Sequence, residues 1–461
     1  MGVGCKIVPT MRWSISILAL FAVSLWGCGS SGSEGPKDGD SSSAPKVGSA
    51  KAPTGKIEVQ SFKGGYGIDF FQTAAKEYTT KHPGTEISVD GNPRVWEQLK
   101  PRFVSGKVPD LTFPGWGMDH WGLAEEEQVI ALEEALKTPA SDGKTPWGET
   151  FDPALLKLGQ LDGKQWTLPY YVILYGWWYD PELFKENGWT VPKTFNELLA
   201  TSEKIKAKGM APITFQGQYP FYMLCMMMLP WVVSEGGQPA LSACQNLEPG
   251  AWKSPSVLKA AQMIAQLRDK GFFENGAVGM SHTQAQAGFL NRKAAFVPCG
   301  TWIHPEMKDS WPKGRKIAFM LPPTVDGGKG DPTAIQVAIE PWMVPAKAQN
   351  KELAIDFFKY MTSVEKAKQF VEEKGTLMAI KGSADGAKLP DYVVEPARIY
   401  GESKDVWSVQ FRSWYPAMFK ELENATTALV SGKATPEEFC ERAEKAAQAT
   451  RDDESITKHK I

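Results

Sequence analysis

The chain has 461 residues, 51 basic and 53 acidic, with a formal charge of -2 at pH 7. So even a balance argues against a nucleic-acid partner, which calls for a basic face. With 42% hydrophobic residues, a chain of this length exceeds what one core usually serves and points to two lobes or domains.

The N-terminus reads as an export signal, because Arg12 precedes an apolar run from Ile15 to Val23 that is too short to persist as a membrane-spanning helix. Met11-Arg12-Trp13 offers a second charged start besides Met1. The run leads into Leu25-Trp26-Gly27-Cys28, where a small residue before a cysteine resembles the lipobox of bacterial lipoproteins. Residues 1–27 are therefore expected to be a signal peptide and Cys28 the site of lipid attachment, with a plain secretory cleavage beside an incidental thiol as the alternative. A diacylglyceryl-type anchor carries two chains, enough for stable retention at a membrane. Gly29 to Thr54 is dominated by Gly, Ser, Pro, Lys and Asp, so residues 28–55 are expected to be a flexible tether. Removal of residues 1–27 takes Lys6 and Arg12 from the 51 basic residues, leaving 49 against 53 acidic and a formal charge of -4. No second long apolar stretch follows, so the exported protein is expected to be soluble apart from its lipid.

The first folded stretch alternates strand and helix signals: Lys56 to Phe62, Ile68 to Lys81, Glu86 to Val89, Val95 to Ser105 and Leu111 to Phe113. That is a βαβαβ unit. Phe71, Ala74, Ala75 and Tyr78 recur at helical spacing, as do Val95, Leu99 and Phe103, so both helices are expected to cover a mainly parallel sheet that binds ligand at its carboxyl edge. Tyr170 to Tyr179 is too aromatic and β-branched for a loop and predicts a buried strand passing between lobes. Thr194 with Glu197 predicts a capping box, Pro212 to Phe215 a strand, and Ser254-Pro255 and Thr435-Pro436 helix starts. Met223 to Leu229 reads as helix core, since three consecutive methionines do not share one helical face. The fold class is α/β with two lobes.

Cys225, Cys244, Cys299 and Cys440 lack the short paired spacings of a metal site. An oxidising compartment permits disulfides, and Cys225 with Cys244 is the pair closest in sequence, although spacing cannot fix connectivity.

The placing of aromatic residues carries the functional signal. Trp116 lies in Phe113-Pro114-Gly115-Trp116-Gly117 just after a strand, and Trp302 in Pro298-Cys299-Gly300-Thr301-Trp302 just after an apolar run. Flanking glycines let a ring present a face. The apolar face of a pyranose stacks on such rings, while its hydroxyls need directional partners. Asp69 stands near Tyr66, Asp119 near Trp116, Gln216 and Gln218 near Tyr219, and Glu340 near Trp342. Together they describe a sugar cleft. No zinc-type histidine pairing, nucleophile elbow or phosphate loop occurs, and no cofactor or metal is implied. Paired carboxylates of a polysaccharide-degrading enzyme remain the competing reading, because their separation is a property of the fold.

Five motifs carry a family likeness: Lys63-Gly64-Gly65-Tyr66-Gly67, Leu99-Lys100-Pro101-Arg102-Phe103-Val104, Asn246 to Lys253, Gly279-Met280-Ser281-His282 and Ala295 to Trp302. In this order they resemble the extracellular solute-binding proteins of carbohydrate ABC importers, and more closely the branch of N-acetylglucosamine- and chitobiose-binding lipoproteins. The resemblance implies a type II periplasmic-binding-protein fold whose lobes, 56–170 plus 339–380 and 171–338 plus 381–455, close on a sugar around strands crossing at Pro169 to Ile173, Val337 to Glu340 and Leu377 to Lys381. It implies sugar contacts at Trp116, Asp119, Trp302, Tyr219, Tyr222, Trp414 and Tyr415, with Tyr66, Gln284 and Glu340 as further candidates. It also implies a monomer outside the cytoplasm, no enzyme activity, importer membrane subunits as partners, and N-acetylglucosamine or a short chitooligosaccharide as cargo. A binding protein coupled to a sensor is a further alternative.

Overall fold

A computed structural model describes residues 53–461; the expected signal peptide, both start methionines, Cys28 and most of the tether lie outside the described residues. β1 (Gly55–Phe62), α1 (Asp69–Lys81), β2 (Thr85–Asn92), α2 (Val95–Ser105) and β3 (Leu111–Phe113) form the expected βαβαβ unit. β1 lies between β2 and β3, parallel to both. α1 buries Phe70, Phe71, Ala74, Ala75 and Tyr78, the stripe its spacing predicts. The chain continues through α3 (His120–Glu125) and the hairpin β4 (Gln160–Leu161) and β5 (Lys164–Gln165) to β6 (Leu168–Tyr179).

β7 (Ala211–Ile213), β8 (Ala294–Gly300), β9 (Ala318–Met320), β10 (Ile335–Trp342), β11 (Leu377–Met378) and β12 (Val406–Trp407) join β6 in a larger mixed sheet. Its backbone order is β12-β10-β6-β8-β7, with β9 and β11 also paired to β6. Apart from its last residue, β6 is buried along its whole length, which accounts for its unbroken apolar and aromatic sequence. β10 runs antiparallel to β6, with Gln336 opposite Tyr175, Ala338 opposite Ile173 and Trp342 opposite Leu168. Immediately after β10, Met343 exchanges two backbone hydrogen bonds with Thr112 of β3, at 3.0 and 2.9 Å. The same strand pair therefore belongs to the large sheet at one end and adjoins the small sheet at the other, the geometry of a hinge.

Three local expectations change. Thr194 accepts from the Glu197 N–H at 3.4 Å, but the Glu197 carboxylate accepts from the Lys193 N–H at 2.7 Å, one residue before the expected partner. Complete capping boxes occur instead at Ser281–Gln284 and Thr435–Glu438. The methionine run is buried as expected, yet Leu224–Met228 forms a π-helical turn. Pro230 lacks the N–H that an α-helix would return to the Met226 carbonyl, and that carbonyl accepts from Trp177 Nε1 at 2.7 Å instead. Cys225 and Cys244 do not pair: all four described cysteines are free and buried, packed as small hydrophobes.

Candidate functional site

A cleft of about 410 Å³ opens above the hinge strands. Tyr175 of β6 and Gln336 to Ile339 of β10 line its floor. One wall is the loop 114–119 between β3 and α3, and the other brings Phe221 and residues 408–423. Gly115 takes φ of +74°, which turns the chain after β3 and leaves Trp116 36% exposed, the largest described exposure of any tryptophan. The Trp116 ring rests edge-on against Phe113 at 5.9 Å. Beneath the loop, Val95, Leu99, Phe103, Met118, Trp121 and Met343 make a small core of their own that anchors it.

Asp119 lines the cleft and also caps α3, accepting from the Gly122 N–H at 2.9 Å. His120 beside it is buried, and that burial pushes its pKa down to about 4, so the imidazole is neutral at ordinary pH. Arg412 reaches across from the opposite wall. Its guanidinium carbon is 4.1 Å from the Phe221 ring centre and 5.4 Å from that of Trp116. Among the described residues it makes no ion pair, so the rings hold its faces by cation–π attraction while its N–H edge stays open. Trp121 Nε1 donates to Ser413 Oγ at 3.0 Å and ties the same two walls.

The other expected contacts divide into three groups. Trp302 is half-buried behind Tyr175, at 5.6 Å edge to face, and against the buried Tyr222 at 6.0 Å. Its ring folds over Gly300, where an added Cβ would stand 1.9 Å from it, which is why a glycine precedes it. Tyr219 is 46% exposed and lies over His282 at 5.2 Å, and His282 in turn pairs with Glu306 at 3.3 Å. Trp414 and Tyr415 line a neighbouring cavity of about 270 Å³ under the C-terminal tail, where the Tyr415 hydroxyl accepts from the His459 N–H at 2.8 Å.

Three candidates stand away from the cleft surface. Tyr66 is buried edge-on against Tyr171 at 4.7 Å. Gln284 turns its carbonyl oxygen to the Ser281 N–H at 2.8 Å, completing a helix cap. Glu340 is buried and accepts from the Tyr171 hydroxyl, and burial pushes its carboxyl well above the usual range, favouring the neutral acid. The resemblance, together with the nearness of Glu340 to Trp342, suggested these residues without showing which face of their element they occupy. Conversely, sequence reasoning missed Tyr175, Phe221, Gln336 and Arg412. Tyr175 is hidden in an apolar run, and a single arginine two residues before Trp414 carries no periodic signal.

No trio of His, Cys, Asp or Glu among the described residues converges as a metal site would, and none of their helices is long and apolar enough to cross a membrane. The fold is that of the two-lobed type II solute-binding proteins. The family model "Bacterial extracellular solute-binding protein" matches residues 64–368, and the chain belongs to that family. A diacetylchitobiose-binding protein of Streptomyces coelicolor is 28% identical over 98% of this chain and 97% of its own. A multiple sugar-binding protein of Streptococcus mutans is 24% identical over 68% of this chain and 73% of its own. Among solved structures, a chitin oligosaccharide binding protein superposes with TM-score 0.73 at 20% identity, covering 86% of this chain and 98% of the other.

Proposed function

We propose that the protein captures a carbohydrate outside the cytoplasm, N-acetylglucosamine or a short chitooligosaccharide, and delivers it to the membrane subunits of an ABC importer, tethered through a lipid on Cys28. The observation that carries the reading is the cleft itself: Trp116, Tyr175 and Phe221 present ring surface from both walls and the floor of one opening. Rings so placed suit the apolar face of a pyranose. The diacetylchitobiose-binding relative, matched over nearly its whole length, supports the choice of sugar. Within the cleft Asp119 caps a helix through one oxygen and Glu423 lies 3.5 Å from Lys420, so no pair of opposed carboxylates is singled out for hydrolysis.

A thermal-shift screen over mono- and oligosaccharides tests the proposal, because a ligand specific for the folded state raises its melting temperature. Chitooligosaccharides are expected to give the largest shifts. A screen in which no sugar shifts the transition removes the sugar reading, and sustained release of new reducing ends from chitooligosaccharides replaces it with an enzyme.

A further inference from the structure

Gln336 is 3% exposed, and neither its side-chain oxygen nor its nitrogen has a hydrogen-bond partner. Among the cleft-lining residues it is the one whose buried polar side-chain atoms are left in this state. Its direction follows from the strand. Gln336 sits directly opposite Tyr175 in an antiparallel pair, and residues opposite each other share a face. Ala338, two residues on, returns to that face and is part-exposed in the cleft. An amide buried without partners lowers the stability of the empty protein. Retention of one at the floor of an open cleft is explained by a ligand that supplies the partners.

The amide offers an acceptor and a donor side by side. A trans acetamido group points its N–H and C=O in opposite directions, so one primary amide cannot engage both. Two equatorial hydroxyls on neighbouring ring carbons present an acceptor and a donor on one edge and match it. We propose that Gln336 reads an adjacent pair of hydroxyls on the bound pyranose and so selects a ring with a free vicinal diol turned to the hinge floor. The assignment rests on the sugar-binding reading of the cleft and adds an orientation to it. In N,N′-diacetylchitobiose the one free vicinal pair is at C3 and C4 of the non-reducing ring, so Gln336 engages the non-reducing end. The amide atoms lie just beneath the cleft surface, and contact is made when the lobes open at the β6–β10 pair and reclose on the sugar.

The test is calorimetric titration of the full folded chain and its Gln336→Leu variant with N,N′-diacetylchitobiose and with the analogue lacking the C4 hydroxyl of the non-reducing ring. Wild type is expected to bind the parent sugar roughly 10- to 100-fold more tightly than Gln336→Leu does, the range for a lost buried hydrogen-bonding group. The deoxy analogue is expected to bind wild type correspondingly weakly, while Gln336→Leu no longer distinguishes the two sugars. The ligand-free variant should melt at or above the wild-type temperature, since the unpartnered amide is gone. Retained affinity within twofold, or a fall in ligand-free melting temperature, overturns the assignment and makes Gln336 a structural residue. If wild type ignores diacetylchitobiose but binds another disaccharide, the named cargo and the assignment of Gln336 to its non-reducing end are both overturned. If it binds no sugar, the sugar reading falls and the diol assignment falls with it.

Discussion

At one end of the ladder made by β6 and β10, Tyr175 and Gln336 face the cleft; at the other, Tyr171 donates to Glu340 inside a sealed aromatic core. Both ends bury polar groups on the same pair of strands: Glu340 at the sealed end is met by the Tyr171 hydroxyl, while Trp342 Nε1 and the Tyr170 hydroxyl beside it, like the Gln336 amide at the open end, have no partner. Around the sealed end Trp342 is fully buried among Phe71 at 5.1 Å, Phe358 at 5.6 Å and Tyr170 at 6.0 Å. Around the open end Trp116 is 36% exposed and lines the cleft. A hinge needs both: a fixed point that does not yield, and beside it a surface left incomplete for the ligand to finish.

The division predicts that truncation at the two ends breaks different properties. Trp342→Ala at the sealed end is expected to cost about 3 to 5 kcal/mol of folding stability, through the lost burial and the cavity left behind. Urea unfolding measures it, and sugar affinity of the folded fraction should be unaltered. Trp116→Ala at the open end reverses the pattern. It is expected to weaken sugar binding by about 1 to 3 kcal/mol through lost stacking, with stability changed by no more than about 0.5 kcal/mol. If Trp342→Ala leaves the unfolding midpoint in place while abolishing binding, the two ends have been assigned the wrong way round.

Much of this arrangement is legible in the sequence. Periodicity placed α1 and α2, and the run Tyr170 to Tyr179 announced a strand buried on both faces, which β6 is. Glycines marked the loops of Trp116 and Trp302, because a positive φ and a ring lying over a backbone leave no room for a Cβ. What the sequence could not show is which aromatics share an opening. Trp302 and Trp116 look alike as glycine-flanked rings after strands, yet one backs Tyr175 and the other lines the cleft. Gln336 and Arg412 acquire their character from residues far away in the chain: Tyr175 opposite the one, Phe221 and Trp116 around the other. Local patterns carry element type; the pairing of distant elements carries the site.

Glu340 sharpens the contrast through pH. Its folded pKa is raised above the ordinary carboxyl value by burial, so its contribution to stability is full below the unfolded pKa, near 4.5, and is lost as pH rises toward the folded value. Above the unfolded value the unfolded chain ionises more readily than the folded protein. Glu340→Gln, which keeps the shape and a hydrogen-bond acceptor, is therefore expected to raise the melting temperature at pH 7 to 8 and to change it little near pH 4. A variant that melts lower at pH 8 would show that burial does not raise the Glu340 pKa in the folded protein.

The smallest effect belongs to the cluster beyond the open end, where His282 pairs with Glu306 at 3.3 Å beneath Tyr219. The Glu306 carboxylate, which accepts the imidazole hydrogen bond, raises the His282 pKa above its ordinary value against the opposing effect of burial. A raised histidine stabilises the fold most below the unfolded pKa of about 6.5, and that contribution disappears as pH rises through the folded pKa. With the His282 side chain about a third exposed, solvent screening limits the gain to under ~1 kcal/mol. Wild type is thus expected to melt slightly above His282→Gln near pH 5.5 and to converge with it by pH 8.5, and a difference independent of pH would assign the residue to packing alone. Gly65 lies against Glu306, where an added Cβ would stand 3.5 Å from the Glu306 Cβ. A charge on His282 therefore acts beside this contact, and repeating the titration with sugar bound shows whether ligand changes the histidine's environment: a midpoint that moves with ligand couples the pair to binding, and one that does not leaves its role to local stability.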